Sequence, residues 1–339
     1  MKGFLVACLS LAGTALGAPK AKLNTKAQAT GDITPELVQD FHKYLQWSEA
    51  AGCNNRKQPG EQVTCQVNSA GKHQCHLFES HNATVVASFG GDMLDTRGFV
   101  GVDHVDKIVV LSYRGTTSVR NWIADLSFFQ MPCDLTKGCL VHSGFYASWL
   151  EVKKASLDAV NQAKAANPTY KVIVTGYSLG AAVATLAVGY VRKAGHAADL
   201  YTYASPRVGN LALVDFITNQ PGGEYRLTHK DDPVPRLPPI IFNYRHTSPE
   251  YWLNEDDDGV VTPDEVTYCP GYTNTSCNAA TRGLDDTNHG GYFQTILGCG
   301  VGYTPWRRDL TSKELFDKLN HFAELDRQYA ETLHKAGEQ

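Results

Sequence analysis

Apart from one short run near its start, the chain has no continuous apolar stretch approaching the roughly 20 residues that a membrane-spanning helix needs. Charge is sparse. Asp, Glu, Lys and Arg make up 19% of the residues and the formal net charge is -4, which argues against a nucleic-acid partner, since phosphates call for a basic face. No Cys-x-x-Cys pair is present and no histidine pair accompanies the cysteines, so a structural zinc site is not expected. No internal repeat is visible. What is present is a 42% hydrophobic fraction over 339 residues, enough for one large α/β domain or two small ones.

The apolar run at the start, Phe4 to Leu16, follows Lys2 and ends in the small-x-small pattern Ala15-Leu16-Gly17. It is too short to span a bilayer and has the layout of a secretory signal peptide over residues 1–17, cut near Gly17. Residues 18–30 are polar, a propeptide or loose lead-in. Secretion gives the cysteines a meaning. Cys8 leaves with the signal, and the eight that remain are an even number in an oxidising compartment, which predicts disulfides. The short separations Cys65–Cys75, Cys133–Cys139 and Cys269–Cys277 point to three local loops, leaving Cys53–Cys299 to tie the ends of the domain, although sequence alone permits other pairings. The sequons at Asn82 and Asn274 fit the same compartment as glycosylation sites.

Strand-like runs ("ATVVASF", "GFVGV", "KIVVLSY", "YKVIV", "ADLYTYA") alternate with helical periodicity ("TPELVQDFHKYLQWSEAAGC", "GFYASWLEVKKASLDAVNQAKAANP", "LALVDFITN"). That alternation predicts a mostly parallel sheet covered by helices on both faces. After Cys299 the composition shifts. Residues 311–336 begin with Thr311 and Glu314 at capping-box spacing, and Leu315, Leu319, Phe322, Tyr329 and Leu333 form an apolar stripe with a polar gap at Asp326. The expectation is a terminal helix packed on a catalytic domain spanning 31–299, with 300–339 as an extension.

One junction carries chemistry. The strand "YKVIV" ends in Gly-Tyr-Ser-Leu-Gly and passes straight into an alanine-rich helix. A nucleophilic serine needs its Oγ thrust clear of the backbone and a base to take its proton. Strand, Gly-x-Ser-x-Gly and helix achieve the first, with Gly176 and Gly180 clearing space around Ser178 and the N–H of Leu179 facing the reacting oxygen. The blander alternative is a serine helix cap flanked by chance glycines. If Ser178 is a nucleophile, an acid and then a histidine should follow in chain order. Asp231 and Asp232 both stand at the end of a strand-like run. His289, in the glycine-rich "LDDTNHGGYF", suits the base better than His229, His246, His321 or His334, which lie in strand, loop or tail contexts.

At this point the residues resemble a family. "LSYRGTTSVRNWIADLSF", "HSGFYASW", "VTGYSLGAAVATLA", "YASPRVGN", "DPVPRLPPIIFNYRHTSPEYW" and "HGGYF" occur in the order found in the secreted fungal triacylglycerol lipases of the lipase class 3 family, over roughly residues 40 to 299. The tail resembles a branch with a C-terminal helical extension. The resemblance implies an α/β-hydrolase fold and a triad of Ser178, Asp232 (which precedes "PVPRLPP", and so is selected over Asp231) and His289. It implies oxyanion donors at Thr116 and Leu179, with Asp125 orienting the Thr116 hydroxyl. It also implies that the amphipathic segment carrying Val119, Trp122 and Ile123, which by itself would read as a fixed core helix, is a lid that opens at an oil–water interface. The expected protein is a monomer acting on acylglycerol at a lipid surface, with no metal or organic cofactor. Phospholipase A1 or mono/diacylglycerol lipase activity is the alternative. A feruloyl esterase, whose corresponding segment is polar and lacks the tryptophan, and an inactive lipase-like binding protein stand further off.

The chain departs from the family pattern at Tyr177, where histidine is usual, at Ala181, where glycine is frequent, and at Gly290 and Gly291, where larger side chains are usual. The two glycines imply a looser histidine loop or a wider alcohol side of the pocket. Separately, Asn254, Asp256, Asp258, Gly259 and Glu265 fall at EF-hand spacing, but strand-like flanks make an acidic hairpin turn the expectation rather than a calcium loop.

Overall fold

The computed structural model describes residues 32–68, 71, 73–115, 127–254, 260–281, 286–296, 299 and 312–338. Helix α1 (Pro35–Asn54) leads into strands β1 (Thr84–Gly90), β2 (Arg97–Asp103) and β3 (Ile108–Tyr113), then the ribbon β4 (Gln130–Pro132) and β5 (Leu140–His142). Helix α2 (Ser143–Ala166), β6 (Lys171–Tyr177), α3 (Leu179–Lys193), β7 (Ala198–Tyr203), α4 (Leu211–Thr218) and β8 (Glu224–His229) alternate as predicted. The hairpin β9 (Glu250–Leu253) and β10 (Val266–Cys269), the short strands β11 (Gly291–Tyr292) and β12 (Gln294–Thr295), and helix α5 (Ser312–Lys335) complete the described chain.

The main sheet has the order β1-β2-β3-β6-β7-β8-β9-β10. Its centre, from β3 to β9, is parallel, and antiparallel pairs close both edges. Parallel strands covered on both faces should be apolar on both, and Val172, Ile173 and Val174 of β6 are all buried. Two cores result. On one face Trp149 of α2 and Val183, Leu186 and Val191 of α3 pack on the sheet. On the other Phe41, Leu45 and Trp47 of α1 meet Val110, Ile173 and Tyr203. Helix α1 begins as its sequence suggests, with the Thr34 side chain accepting from the Leu37 N–H at 3.2 Å and Pro35 in the first turn.

Four disulfides form: Cys53–Cys299, Cys65–Cys75, Cys133–Cys139 and Cys269–Cys277. On the chain-entropy view they are unequal. Closing 246 residues with Cys53–Cys299 is worth about 5 kcal/mol, whereas closing 6 with Cys133–Cys139 is worth about 2. The flanks of the acidic segment are the antiparallel strands β9 and β10, and the Asn254 N–H donates to the Glu265 carbonyl at 3.0 Å. Asp256, Asp258 and Gly259 themselves lie outside the described residues.

Helix α5 buries Leu319, Ala323, Asp326 and Ala330, a spacing that keeps one face down. The polar gap at Asp326 is therefore no gap in the contact. It is a point of attachment. Asp326 accepts from Arg207 Nη1 at 2.8 Å and from the Ile240 N–H at 2.7 Å, and the side chains of Arg207 and Asp326 are only 2% and 4% exposed. Arg207 Nη1 also reaches the carbonyls of Arg236 and Pro238, so the pair stitches the helix to the loop after β8. Replacing Asp326 with alanine strands a buried guanidinium, which costs about 3–5 kcal/mol. Urea unfolding should show that loss for Asp326→Ala and almost none for Phe316→Ala, an exposed position on the same helix; equal effects would mean that the ion pair does not dock α5.

Candidate active site

Parallel strands deliver their carboxyl ends to one edge of the sheet, where ligands of such folds bind. Ser178 follows β6 directly, at φ 55° and ψ -123°, a positive-φ conformation that a non-glycine residue adopts only under constraint. The constraints are visible. The Ser178 N–H is held by the Tyr203 carbonyl at 2.9 Å. A Cβ on Gly176 would lie 2.3 Å from the Gly180 carbonyl oxygen, and one on Gly180 would lie 2.4 Å from the Tyr113 carbonyl oxygen. No side chain fits at either position, so both glycines of the motif are sterically required. Leu179 is the first residue of α3, where main-chain N–H groups have no acceptor within their own helix.

The structure brings Ser178, His289 and Asp232 together although they are far apart in sequence. His289 Nε2 lies 3.1 Å from Ser178 Oγ, and its Nδ1 lies 3.0 Å from each Asp232 carboxylate oxygen. A carboxylate only accepts, so the ring proton sits on Nδ1 and Nε2 is left as the acceptor facing the serine hydroxyl. All three residues are buried. Asp231, the neighbour that the residues alone did not separate from Asp232, instead accepts from the Asn288 side-chain amide.

Four contacts at this site were not foreseen. The Tyr292 hydroxyl donates to Asp232 Oδ2 at 2.8 Å, and the Val234 N–H donates to Asp232 Oδ1 at 2.9 Å. Asn278 Nδ2 donates to the main-chain carbonyl of Asp232 at 3.0 Å. A buried carboxylate is costly unless it is hydrogen-bonded, and the Tyr292 hydroxyl and the Val234 N–H together with His289 meet that need. Burial, and then the charge of Asp232, push the Tyr292 phenol well above its usual range, which keeps it a donor. Tyr292 lay inside the quoted "HGGYF" without a role assigned to its side chain, whereas nothing in the sequence marks Asn278. The fourth is at Tyr177, whose hydroxyl donates to the main-chain carbonyl of His289. Thr116, Val119, Trp122, Ile123 and Asp125 lie outside the described residues.

The chain is similar to known proteins over most of its length. The family model described as Lipase (class 3) matches residues 110–242. The chain is 46% identical to the secreted mono- and diacylglycerol lipase 1 of Fusarium solani over 89% of each protein. It is 38% identical to the secreted mono- and diacylglycerol lipase A of Penicillium cyclopium, over 82% of this chain and 91% of that one. Among solved structures, the mono- and diacylglycerol lipase from Aspergillus oryzae superposes with a TM-score of 0.71 at 40% identity, covering 76% of this chain and 97% of that one. The architecture is thus that of the fungal lipases, an α/β-hydrolase fold.

Behind the acid loop, His246 is buried and donates from Nε2 to the Pro235 carbonyl at 2.7 Å. Burial first, and then the charges of Arg226 and Arg207, hold its pKa well below the ordinary 6.5. The folded protein therefore keeps it neutral where the unfolded chain protonates. Its contribution is intact above about pH 6.5 and is lost as pH falls below that value towards the depressed folded pKa, at up to about 1.4 kcal/mol per pH unit. Unfolding free energies measured between pH 7.5 and 5 should fall less steeply for His246→Gln than for the wild type; parallel slopes would remove His246 from the acid response.

Proposed function

The chain belongs to the class 3 lipases, and from that premise we propose that it is a secreted serine carboxylic-ester hydrolase that cleaves acylglycerols. The observation that carries the reading is the continuous contact from Ser178 Oγ through the imidazole of His289 to the Asp232 carboxylate. In this mechanism Asp232 holds His289 in the useful tautomer and balances the imidazolium that forms. His289 takes the Ser178 proton as Oγ attacks the ester carbonyl, then returns it to the departing alcohol. Water repeats the sequence on the acyl-enzyme. The developing oxyanion faces the Leu179 N–H and the N–H and hydroxyl of Thr116, with Asp125 orienting the latter. One such donor is typically worth about 100- to 1000-fold in rate.

Residues 118–126 serve in this reading as the lid, with Val119, Trp122 and Ile123 turning towards the lipid. Opening exposes apolar surface, which an apolar phase favours and water does not. The monomeric protein would thus work at an oil–water interface. Residues 1–17 act as the signal, 18–30 as the lead-in, 31–299 as the catalytic domain and 300–339 as the extension, with glycans at Asn82 and Asn274. A second reading, preference for partial glycerides over triacylglycerol, has a specific support: relatives matched over more than four-fifths of this chain are named mono- and diacylglycerol lipases.

Ester release from emulsified trioctanoin, triolein, diolein, phosphatidylcholine and methyl ferulate tests both readings. Acylglycerol hydrolysis should exceed that of phosphatidylcholine and methyl ferulate, rise once an emulsion forms, and fall by at least about 10⁴-fold in Ser178→Ala. Release from diolein well above that from triolein selects the partial-glyceride reading. Turnover confined to methyl ferulate, or independent of Ser178, would overturn the assignment.

A further inference from the structure

A general base must stay in register with its nucleophile, and the two residues after His289 are glycines with no side chains to anchor the loop. The loop is held through its main chain instead. Three successive carbonyls each receive a donor: Asn288 O from His229 Nδ1 at 2.8 Å, His289 O from the Tyr177 hydroxyl, and Gly290 O from the Ile296 N–H at 3.0 Å. The Tyr177 contact differs from the other two because it returns to the nucleophile. Tyr177 directly precedes Ser178, so the chain from Tyr177 to Ser178, the Oγ–Nε2 contact and the His289 carbonyl close a small ring of interactions. The phenol is buried, with its ring centroid 5.0 Å from the imidazole and 6.3 Å from the Tyr292 ring, which it meets edge-on.

We propose that Tyr177 is a positioning residue for the catalytic histidine: its hydroxyl ties the His289 backbone to the nucleophile strand and so sets the approach of Nε2 to Ser178 Oγ. This rests on the triad reading above. Tyr177 stands where the resemblance leads one to expect histidine, so the tether belongs to this chain's own sequence. One neutral hydrogen bond is a small part of global stability, whereas a displacement of about 1 Å between reacting groups can cost about 100-fold in rate. Loss of the hydroxyl should therefore appear in turnover and not in folding.

The test compares wild type, Tyr177→Phe and Ser178→Ala on p-nitrophenyl butyrate, a soluble ester. The rate of labelling by a fluorophosphonate and the low-field NMR resonance of the His289 Nδ1 proton are followed in parallel. Tyr177→Phe keeps the ring and its packing. The expected result is a kcat lowered between about 10- and 100-fold with KM within about twofold, and labelling slowed by the same factor. The melting temperature should stay within a few degrees and the Nδ1 proton resonance should broaden. Wild-type kcat and labelling in Tyr177→Phe with an unchanged resonance would overturn the proposal, as would a loss of activity explained by a large fall in melting temperature. Absence of Ser178-dependent turnover in the wild type would remove the enzymatic reading; the Nδ1 resonance would still report on the tether, and its indifference to Tyr177→Phe would overturn that separately.

Discussion

Gly176 packs so closely on Gly180, and Gly180 on Tyr113 at the end of β3, that a methyl group on either would collide with main-chain oxygen, at 2.3 and 2.4 Å respectively. The first contact presses β6 against the start of α3 and leaves Ser178 nowhere to go except the strained turn between them. The rest of the site follows from it. The serine side chain emerges at the carboxyl edge of the sheet, the first turn of α3 points its N–H groups the same way, and β8, one strand beyond β7, delivers Asp232 to the same edge. A strained residue persists only where its surroundings over-determine it. Here they do so through the Tyr203 carbonyl, the glycine contacts and the alanine-rich packing of α3.

Away from the serine, the structure relies on buried ion pairs to bring loops into register. Arg192 of α3 meets Glu224 of β8 at 2.8 Å, Arg226 of β8 meets Glu250 of β9 at 3.1 Å, and Arg207 meets Asp326 of α5. Such pairs contribute little net stability over apolar packing, but any arrangement that separates them leaves a charge stranded. Their effect is discrimination between arrangements. Each joins elements distant in sequence, and the last two bracket the segment that follows the acid. Glu250 also accepts from Thr228 Oγ1 at 2.6 Å and from the Asn278 N–H at 3.2 Å, which links the hairpin to the residue that caps the Asp232 carbonyl.

Much of this was legible in the sequence, for a physical reason. Parallel strands buried on both faces are rich in β-branched, aromatic and apolar residues, so "YKVIV" and "ADLYTYA" announce themselves, and the elbow requires glycine where glycine stands. The acid was harder. Asp231 and Asp232 are adjacent, and which one faces the histidine depends on the turn after β8, a backbone detail that periodicity does not carry. Asp326 misled for a related reason. Polarity at a core-facing helical position looks like an interruption unless the partner is known, and Arg207 lies more than a hundred residues away. Asn278 and the Tyr177 hydroxyl act on main-chain carbonyls, which have no sequence identity at all.

Holding the histidine loop by its carbonyls has a consequence beyond catalysis. A side-chain anchor would commit the residues beside the base to a particular identity. Main-chain anchors make no such demand. At Gly291 an added Cβ would meet its nearest neighbours, Thr287 O and His229 Cε1, only at 3.6 and 3.7 Å, which is ordinary contact, and its backbone is not left-handed. Glycine is thus a choice there and not a necessity. Gly291, two residues after His289, has room for added bulk that leaves the main-chain anchors of the imidazole in place. The anchoring of the imidazole and the bulk carried at Gly291 are therefore separable features of the same loop.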